Sequence, residues 1–239
     1  MKRARRVLAI TGAGISADSG LPTYRGIGGL YESSGTEDAM PIEEALSGEM
    51  MRRRPDVTWK YIHQIESACR DRKHNAGHAA LAQLQARYER MTVLTQNIDG
   101  FHRTAGSTDL IEIHGCVHEL YCVKCGEETR VTNYAGLAIP PSCGSCRGLV
   151  RPRVVLFGEM LPDAAIERLY ALLEDGIDLV LSIGTTSVFP YIAGPVMQAA
   201  RAGLPTVEIN PGETEVSHLV RYRVRERAAV ALPELLKRL

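Results

Sequence analysis

The chain carries no excess of either charge: Lys+Arg and Asp+Glu both number 28 across 239 residues. No global field therefore draws it to nucleic acid or to an anionic membrane. Long apolar runs are missing too. Nothing approaches the roughly 18 consecutive apolar residues of a membrane-spanning helix. The basic opening Met1-Lys2-Arg3-Ala4-Arg5-Arg6 is followed only by the short run Val7–Ile10. That run is too short for the apolar stretch of a signal peptide, so the expectation is a cytoplasmic protein. There is no internal repeat and no low-complexity tract. What is present is ordinary for a globular protein, with 45% hydrophobic and 23% charged residues. Such a chain makes one large domain, or one domain with a small insert.

Cysteines are few, but four of the six are patterned. Cys122, Cys125, Cys143 and Cys146 form a C-x2-C pair, a 17-residue gap and a second C-x2-C pair. In a reducing compartment this spacing points to zinc rather than disulfides. Two tight knuckles can turn four thiolates onto one ion in a tetrahedral S4 site. With every position filled by sulfur, no place remains for an activated water. The site reads as one structural Zn2+.

Short apolar runs at Val7–Ile10, Met91–Thr95, Val154–Phe157, Leu179–Ile183 and Thr206–Ile209 read as buried parallel strands. Helical patterns lie between them: a helix capped by Asn75, then Ala164–Glu174, Ile192–Ala202 and Pro233–Leu239, with Gly176 and Gly203 as stops. The alternation predicts an α/β protein with a Rossmann-like, doubly wound parallel sheet. Residues 116–150 read as an inserted zinc-ribbon module. Residues 1–115 and 151–239 form the larger domain, with a helical insert at about 26–74.

In such a sheet, ligands bind outside the carboxyl ends of the strands. Three segments there can carry chemistry. Gly12-Ala13-Gly14-Ile15-Ser16-Ala17 fits the G-x-G-x-x-G/A pattern that brings backbone close to a pyrophosphate, although a tight turn without ligand can share it. Pro22 follows too soon for a long Rossmann helix, leaving a loop with Tyr24 and Arg25 that suits a lid over a reactive sugar. Thr95-Gln96-Asn97-Ile98-Asp99-Gly100 offers an amide for a ribose hydroxyl or a water, and a carboxylate for a carboxamide. The same residue types suit a plain turn. Ile111-Glu112-Ile113-His114-Gly115 alternates like a strand ending at His114, whose imidazole is suited to take a proton from a hydroxyl near neutrality.

Taken in order, GAGISADSGLPTYRG, NAGHAALAQL, TQNIDGFH, IEIHG, CVKC with CGSC, LVRPRVVLFGE, SIGTTSVFP and VEINPG resemble the sirtuins, NAD-dependent protein-lysine deacylases, over nearly the whole chain. The resemblance implies that NAD is consumed, not reduced. Acyl-lysine of a protein or peptide would enter a cleft between the two domains, and its amide oxygen would displace nicotinamide from the ribose. His114 would deprotonate a ribose hydroxyl, and water would release free lysine and O-acyl-ADP-ribose. Asn97 would order the ribose side, while Ile98 and Asp99 would meet the nicotinamide carboxamide. Gly12, Ala13 and Gly14 would support the diphosphate, Tyr24 would shield the sugar and Arg25 would order the lid. Gly184, Thr185 and Ser187 would meet phosphate and ribose, Asn210 the adenosine ribose and Ala228 the adenine. Ala17, Gln96, Pro211 and Gly212 complete the implied nucleotide set. Val155, Leu156, Phe157 and Gly158 would pair with the substrate backbone as an added strand.

The chain departs from the family pattern in two places. Thr23-Tyr24 replaces the commoner Asp-Phe of the lid. Sirtuins that prefer succinyl or malonyl groups carry a Tyr-x-x-Arg pair, and those positions fall on Ile62 and Ile65 here. The arginine there would bind the distal carboxylate. Its absence implies a neutral acyl group, acetyl or longer aliphatic. Tyr61 and Gln64 lie one residue out of register, and Arg52–Arg54 or Arg70 offer other cations. Two rival readings differ in class: mono-ADP-ribosyl transfer from the same site, and a zinc-ribbon protein that binds nucleic acid. The chain's neutral balance speaks against the second, so neither nucleic acid nor membrane is an expected partner.

Overall fold

Both faces of one six-stranded sheet are apolar, and that property sets the architecture. In the computed structural model, which describes residues 1, 3–22 and 38–239, the strands are β1 (Arg6–Thr11), β2 (Arg90–Thr95), β3 (Leu110–Glu112), β4 (Gly115–Cys122), β5 (Glu128–Arg130), β6 (Val150–Val154), β7 (Leu179–Ile183), β8 (Thr206–Ile209) and β9 (Tyr222–Val224). The helices are α1 (Ala13–Ser16), α2 (Ile42–Ala45), α3 (Gly48–Arg53), α4 (Pro55–Cys69), α5 (Ala76–Gln85), α6 (Phe101–Thr104), α7 (Asp163–Glu174), α8 (Pro190–Arg201) and α9 (Ala228–Arg238). The large sheet runs β3-β2-β1-β7-β8-β9, with every pairing parallel. Its order changes direction at β1, the place where doubly wound sheets open a crevice for ligands.

Alternation along β1 divides the core in two. Val7 and Ala9 join Leu81 and Leu84 of α5 and Leu232 of α9. Leu8 and Ile10 join Leu169 of α7 and Val196 of α8 on the opposite face. Successive side chains of a strand point to opposite faces, so a strand buried on both is largely apolar. Asn75 caps α5 as expected: its Oδ1 accepts from Gly77 N at 2.9 Å, and its own N–H meets His78 Nδ1 at 3.3 Å. The last helix begins at Ala228, five residues before the expected Pro233. Pro233 lies inside that helix, where it gives up one backbone donor, and the turn before it is anchored by the buried Ala228 and Leu232.

A second sheet, β5-β4-β6, is antiparallel and spans the cysteine pairs. The run Val154–Phe157, expected as a parallel strand of the main sheet, belongs here instead: β6 pairs antiparallel with β4, and Phe157 forms only an isolated parallel bridge with Ser47. Apolar content alone does not distinguish a strand buried between helices from one buried in a third core. That core packs Trp59 and Ile62 of α4 against Val117, Leu120 and Val154. The Trp59 indole N–H donates to Val150 O at 3.0 Å, tying α4 to the small sheet. No helix among the described residues is long and apolar enough to cross a membrane.

Candidate active site

Two glycine turns meet at the carboxyl ends of β1 and β7. Gly14 N donates to Gly184 O at 2.8 Å, and Gly12 N to Ile183 O at 3.2 Å. A β-carbon on Gly12 would lie 2.8 Å from Thr185 Cβ. These glycines therefore serve the packing of one turn on the other, besides leaving backbone open to a ligand. Helix α1 is a single turn, and its residues Ile15 and Ser16 are buried.

A cavity of about 470 Å³ opens beside the turns, lined at one end by Gly12, Ala13, Gly14, Gly184, Thr185, Thr186 and Asn210. Gln96, Asn97, Ile98 and His114 line it as well, with Phe189 and Tyr191 packed edge-on against the His114 ring. The far end is walled by Leu46, Ile62, Ile65, Val117 and the segment Val154–Glu159. Among the described lining residues no lysine or arginine occurs, and Glu159 is held by Arg151 at 2.6 Å.

His114 sits in the turn between β3 and β4, just beyond the strand expected to end on it. Its neighbour Gly115 has φ +79°, and a β-carbon there would fall 1.9 Å from Arg153 O. No other residue fits that approach. His114 Nδ1 lies 3.0 Å from Gln96 O, and Nε2 lies 2.7 Å from the Tyr191 hydroxyl. A carbonyl can only accept, so Nδ1 carries the proton and Nε2 the lone pair. Burial lowers the imidazole pKa, partly opposed by the Gln96 carbonyl, and keeps the ring neutral. This is a base with one accepting nitrogen.

Asn97 donates from Nδ2 to Gly12 O at 3.1 Å and to Ser16 Oγ at 3.2 Å. With its amide hydrogens used inside the protein, what it offers a ligand is Oδ1. Ser16 Oγ donates in turn to Asp99 Oδ2 at 2.7 Å, while Asp99 Oδ1 accepts from Phe101 N at 2.9 Å. Burial pushes the Asp99 carboxyl up, against both hydrogen bonds. Asp99, Asn97 and Ile98 also line a small adjoining pocket with Ser16, Pro22 and Cys69. Gln96 Nε2 donates to Thr185 Oγ1 at 2.8 Å, joining the ends of β2 and β7.

The other expected residues divide between the cavity and its surroundings. Ser187 is buried with φ +56°, its hydroxyl 3.5 Å from that of Ser182. Ala17, Pro211 and Gly212 are exposed, and Ala228 is buried against Gly77 at the start of α9. Asn210 lines the cavity, with Nδ2 donating to Thr185 O at 3.2 Å. Val155–Gly158 lies at the apolar end, and Tyr24 and Arg25 fall outside the described residues.

Sequence reasoning missed Ser16, His78, His102 and Tyr191. His78 and His102 are both buried, with ring centroids 4.9 Å apart, beneath the Thr95–Gly100 segment. His102 Nε2 pairs with the Thr11 hydroxyl at 2.9 Å. Burial drives the two imidazoles down to about 2 and about 4, respectively. His78 was legible as a histidine in the first turn of a capped helix; nothing local marks Tyr191, which depends on where α8 begins.

Away from the cavity, the sulfurs of Cys122, Cys125, Cys143 and Cys146 lie within 4.8 Å of one another. The Cys122–Cys146 and Cys125–Cys143 separations are 3.4 and 3.7 Å. Tetrahedral arms of about 2.3 Å place sulfurs about 3.8 Å apart, so the cluster fits a zinc ion. Backbone N–H groups of Cys125 and Lys124 lower the Cys122 thiol, while side-chain hydrogen bonds raise those of Cys125, Cys143 and Cys146.

This geometry has close counterparts. A model of the Sir2 family matches residues 12–190. NAD-dependent protein deacylase 2 of Pseudomonas aeruginosa is 51% identical over 238 residues, 98% of this chain and 93% of that protein. The NAD-dependent protein deacylase of Aquifex aeolicus is 34% identical, covering 96% and 93%. A Sir2 homolog solved with NAD is 31% identical and superposes with a TM-score of 0.87 over 99% of this chain and 90% of that one. A Sir2 protein solved with a p53 peptide and NAD+ is 28% identical, with a TM-score of 0.84 over 99% and 94%. The chain belongs to the Sir2 family, and its Rossmann-like core with a small cysteine-bearing sheet is that of these structures.

Proposed function

We propose that the protein is an NAD-dependent protein-lysine deacylase acting on neutral acyl groups, acetyl or longer aliphatic, and that it holds one structural zinc. A single observation carries the reading. His114, whose Nε2 is the accepting nitrogen, lines one cavity together with the double glycine turn and with an apolar group that includes Leu46, Ile62 and Ile65. NAD fits the glycine end, where backbone and Asn210 meet it, and its ribose would lie beside Asn97 and His114. NAD supplies the electrophilic sugar carbon. The protein's part is to orient it through Asn97 Oδ1 and to take a hydroxyl proton at His114 Nε2.

The acyl preference rests on the apolar end. Ile62 and Ile65 both line it, whereas the Tyr61 hydroxyl turns to Asp38 at 2.5 Å. Of the other candidate cations, Arg54 pairs with Asp56, Arg53 with Glu49 and Arg70 with Glu66, while Arg52 is exposed, outside the cavity lining, and its charge acts on Glu159. A succinyl carboxylate in this wall would lack a cation, a loss on the order of 3–5 kcal/mol. Backbone pairing with the substrate also narrows. Val155 N donates to His114 O, Phe157 N to Leu46 O, and Phe157 O accepts from Gly48 N. Leu156 N donates to Glu159. A substrate strand would therefore use Val155 O and the Gly158 peptide.

The test is a panel of acetyl-, butyryl-, myristoyl- and succinyl-lysine peptides with NAD, read by mass for free lysine and O-acyl-ADP-ribose. Neutral acyl peptides are expected to be turned over faster than succinyl. Faster succinyl turnover would overturn the acyl assignment, and no product from any peptide would overturn the activity.

A further inference from the structure

The Tyr191 hydroxyl sits on the one atom of His114 that the proposed chemistry needs. Because Nδ1–H is committed to Gln96 O, the 2.7 Å contact at Nε2 is a hydrogen bond donated by Tyr191. An imidazole nitrogen has a single in-plane lone pair. It cannot accept from Tyr191 and from a sugar hydroxyl at full strength together.

The placement of Tyr191 is built into the fold. Phe189 precedes α8 with φ −80° and ψ 135°, and Pro190 opens the helix. Tyr191 then stacks on Phe189, with ring centroids 5.4 Å apart at 12°. Both rings stand edge-on to His114, at 83° and 86°. The imidazole is thus gripped at both nitrogens and along its edges. All three rings line the same cavity.

We propose that Tyr191 is a positioning residue for His114: its hydroxyl holds the ring with Nε2 turned into the cavity, and yields that lone pair to a ribose hydroxyl when NAD binds. This rests on the deacylase reading above. Without the hydroxyl, His114 keeps only its Gln96 anchor and spends part of its time turned from the sugar.

The experiment compares wild type with Tyr191→Phe, full chain, by imidazole nitrogen NMR and by steady-state kinetics with acetyl-lysine peptide. The His114 resonance is identified by its loss in His114→Asn. In free Tyr191→Phe the Nε2 resonance should move toward that of an imidazole lacking a donor, and saturating NAD should narrow the difference between the two proteins without closing it. The kcat should fall about fivefold, the equivalent of one hydrogen bond of about 1 kcal/mol, with the KM for NAD within about twofold. Identical Nε2 resonances in the free proteins, or a moved resonance with unchanged kcat, would overturn the proposal. A wild type that releases no nicotinamide overturns the deacylase reading instead, while the resonance still reports the bond.

Discussion

Gly14 and Gly184 face each other so closely that a β-carbon on Gly14 would lie 2.7 Å from Gly184 Cα, and one on Gly184 only 2.5 Å from Ile15 N. Gly184 also has φ +56°, a conformation that costs other residues roughly 1–2 kcal/mol. Gly184→Ala should therefore lose about 2–4 kcal/mol, combining that strain with overpacking, and should weaken NAD binding as the turns part. Thermal unfolding and calorimetric titration with NAD check this; a variant that melts and binds like wild type would show that the two turns are not the joint described.

The pH dependence of turnover has a definite sign. Burial moves the His114 pKa below its usual 6.5. Only the neutral ring accepts a proton, so kcat/KM should stay level as pH falls past 6.5 and drop only below that. A pH–rate profile whose acid limb lies at or above 6.5 would contradict a neutral, buried base.

Glu159 joins the segment Val155–Gly158, proposed above to meet the substrate, to the small sheet. It receives Arg151 at 2.6 and 2.9 Å and Leu156 N at 2.9 Å. Glu159→Gln removes the charge from a half-buried pair, worth about 1.5 kcal/mol. The KM for acyl peptide should rise roughly tenfold, with the KM for NAD much less affected. Equal changes in both constants would place the effect in general stability instead of the segment.

Metal analysis of the purified chain should find one zinc, and Cys143→Ser should lose it. The small sheet carries β6 and hence the start of the substrate segment, so peptide turnover should fall with the metal. Retention of full activity by the zinc-free variant would separate the cluster from the site.

Much of this was legible in the residues. Val7–Ile10 is apolar at every position and Leu179–Ile183 at all but Ser182, as a strand buried on both faces tends to be, whereas Thr206–Ile209 is buried with Glu208 paired to Arg223. Cys122 to Cys146 announced their cluster through spacing alone. What could not be read there has a shared cause. Val154–Phe157 is apolar because it borders a third core, and Ser187 turns inward because of a left-handed backbone that no local pattern signals. Tyr191 reaches His114 across 77 positions of chain. Local periodicity reports burial but not the partner across which a residue is buried.

The indole bond from Trp59 to Val150 has an evolutionary corollary. The helix that bears Ile62 and Ile65 is seated on the cysteine-bearing sheet, while the nucleotide end is assembled from turns on the other sheet. On the proposed reading, substitutions along that helix change which modification is erased and leave the glycine turns that grip the dinucleotide as they are.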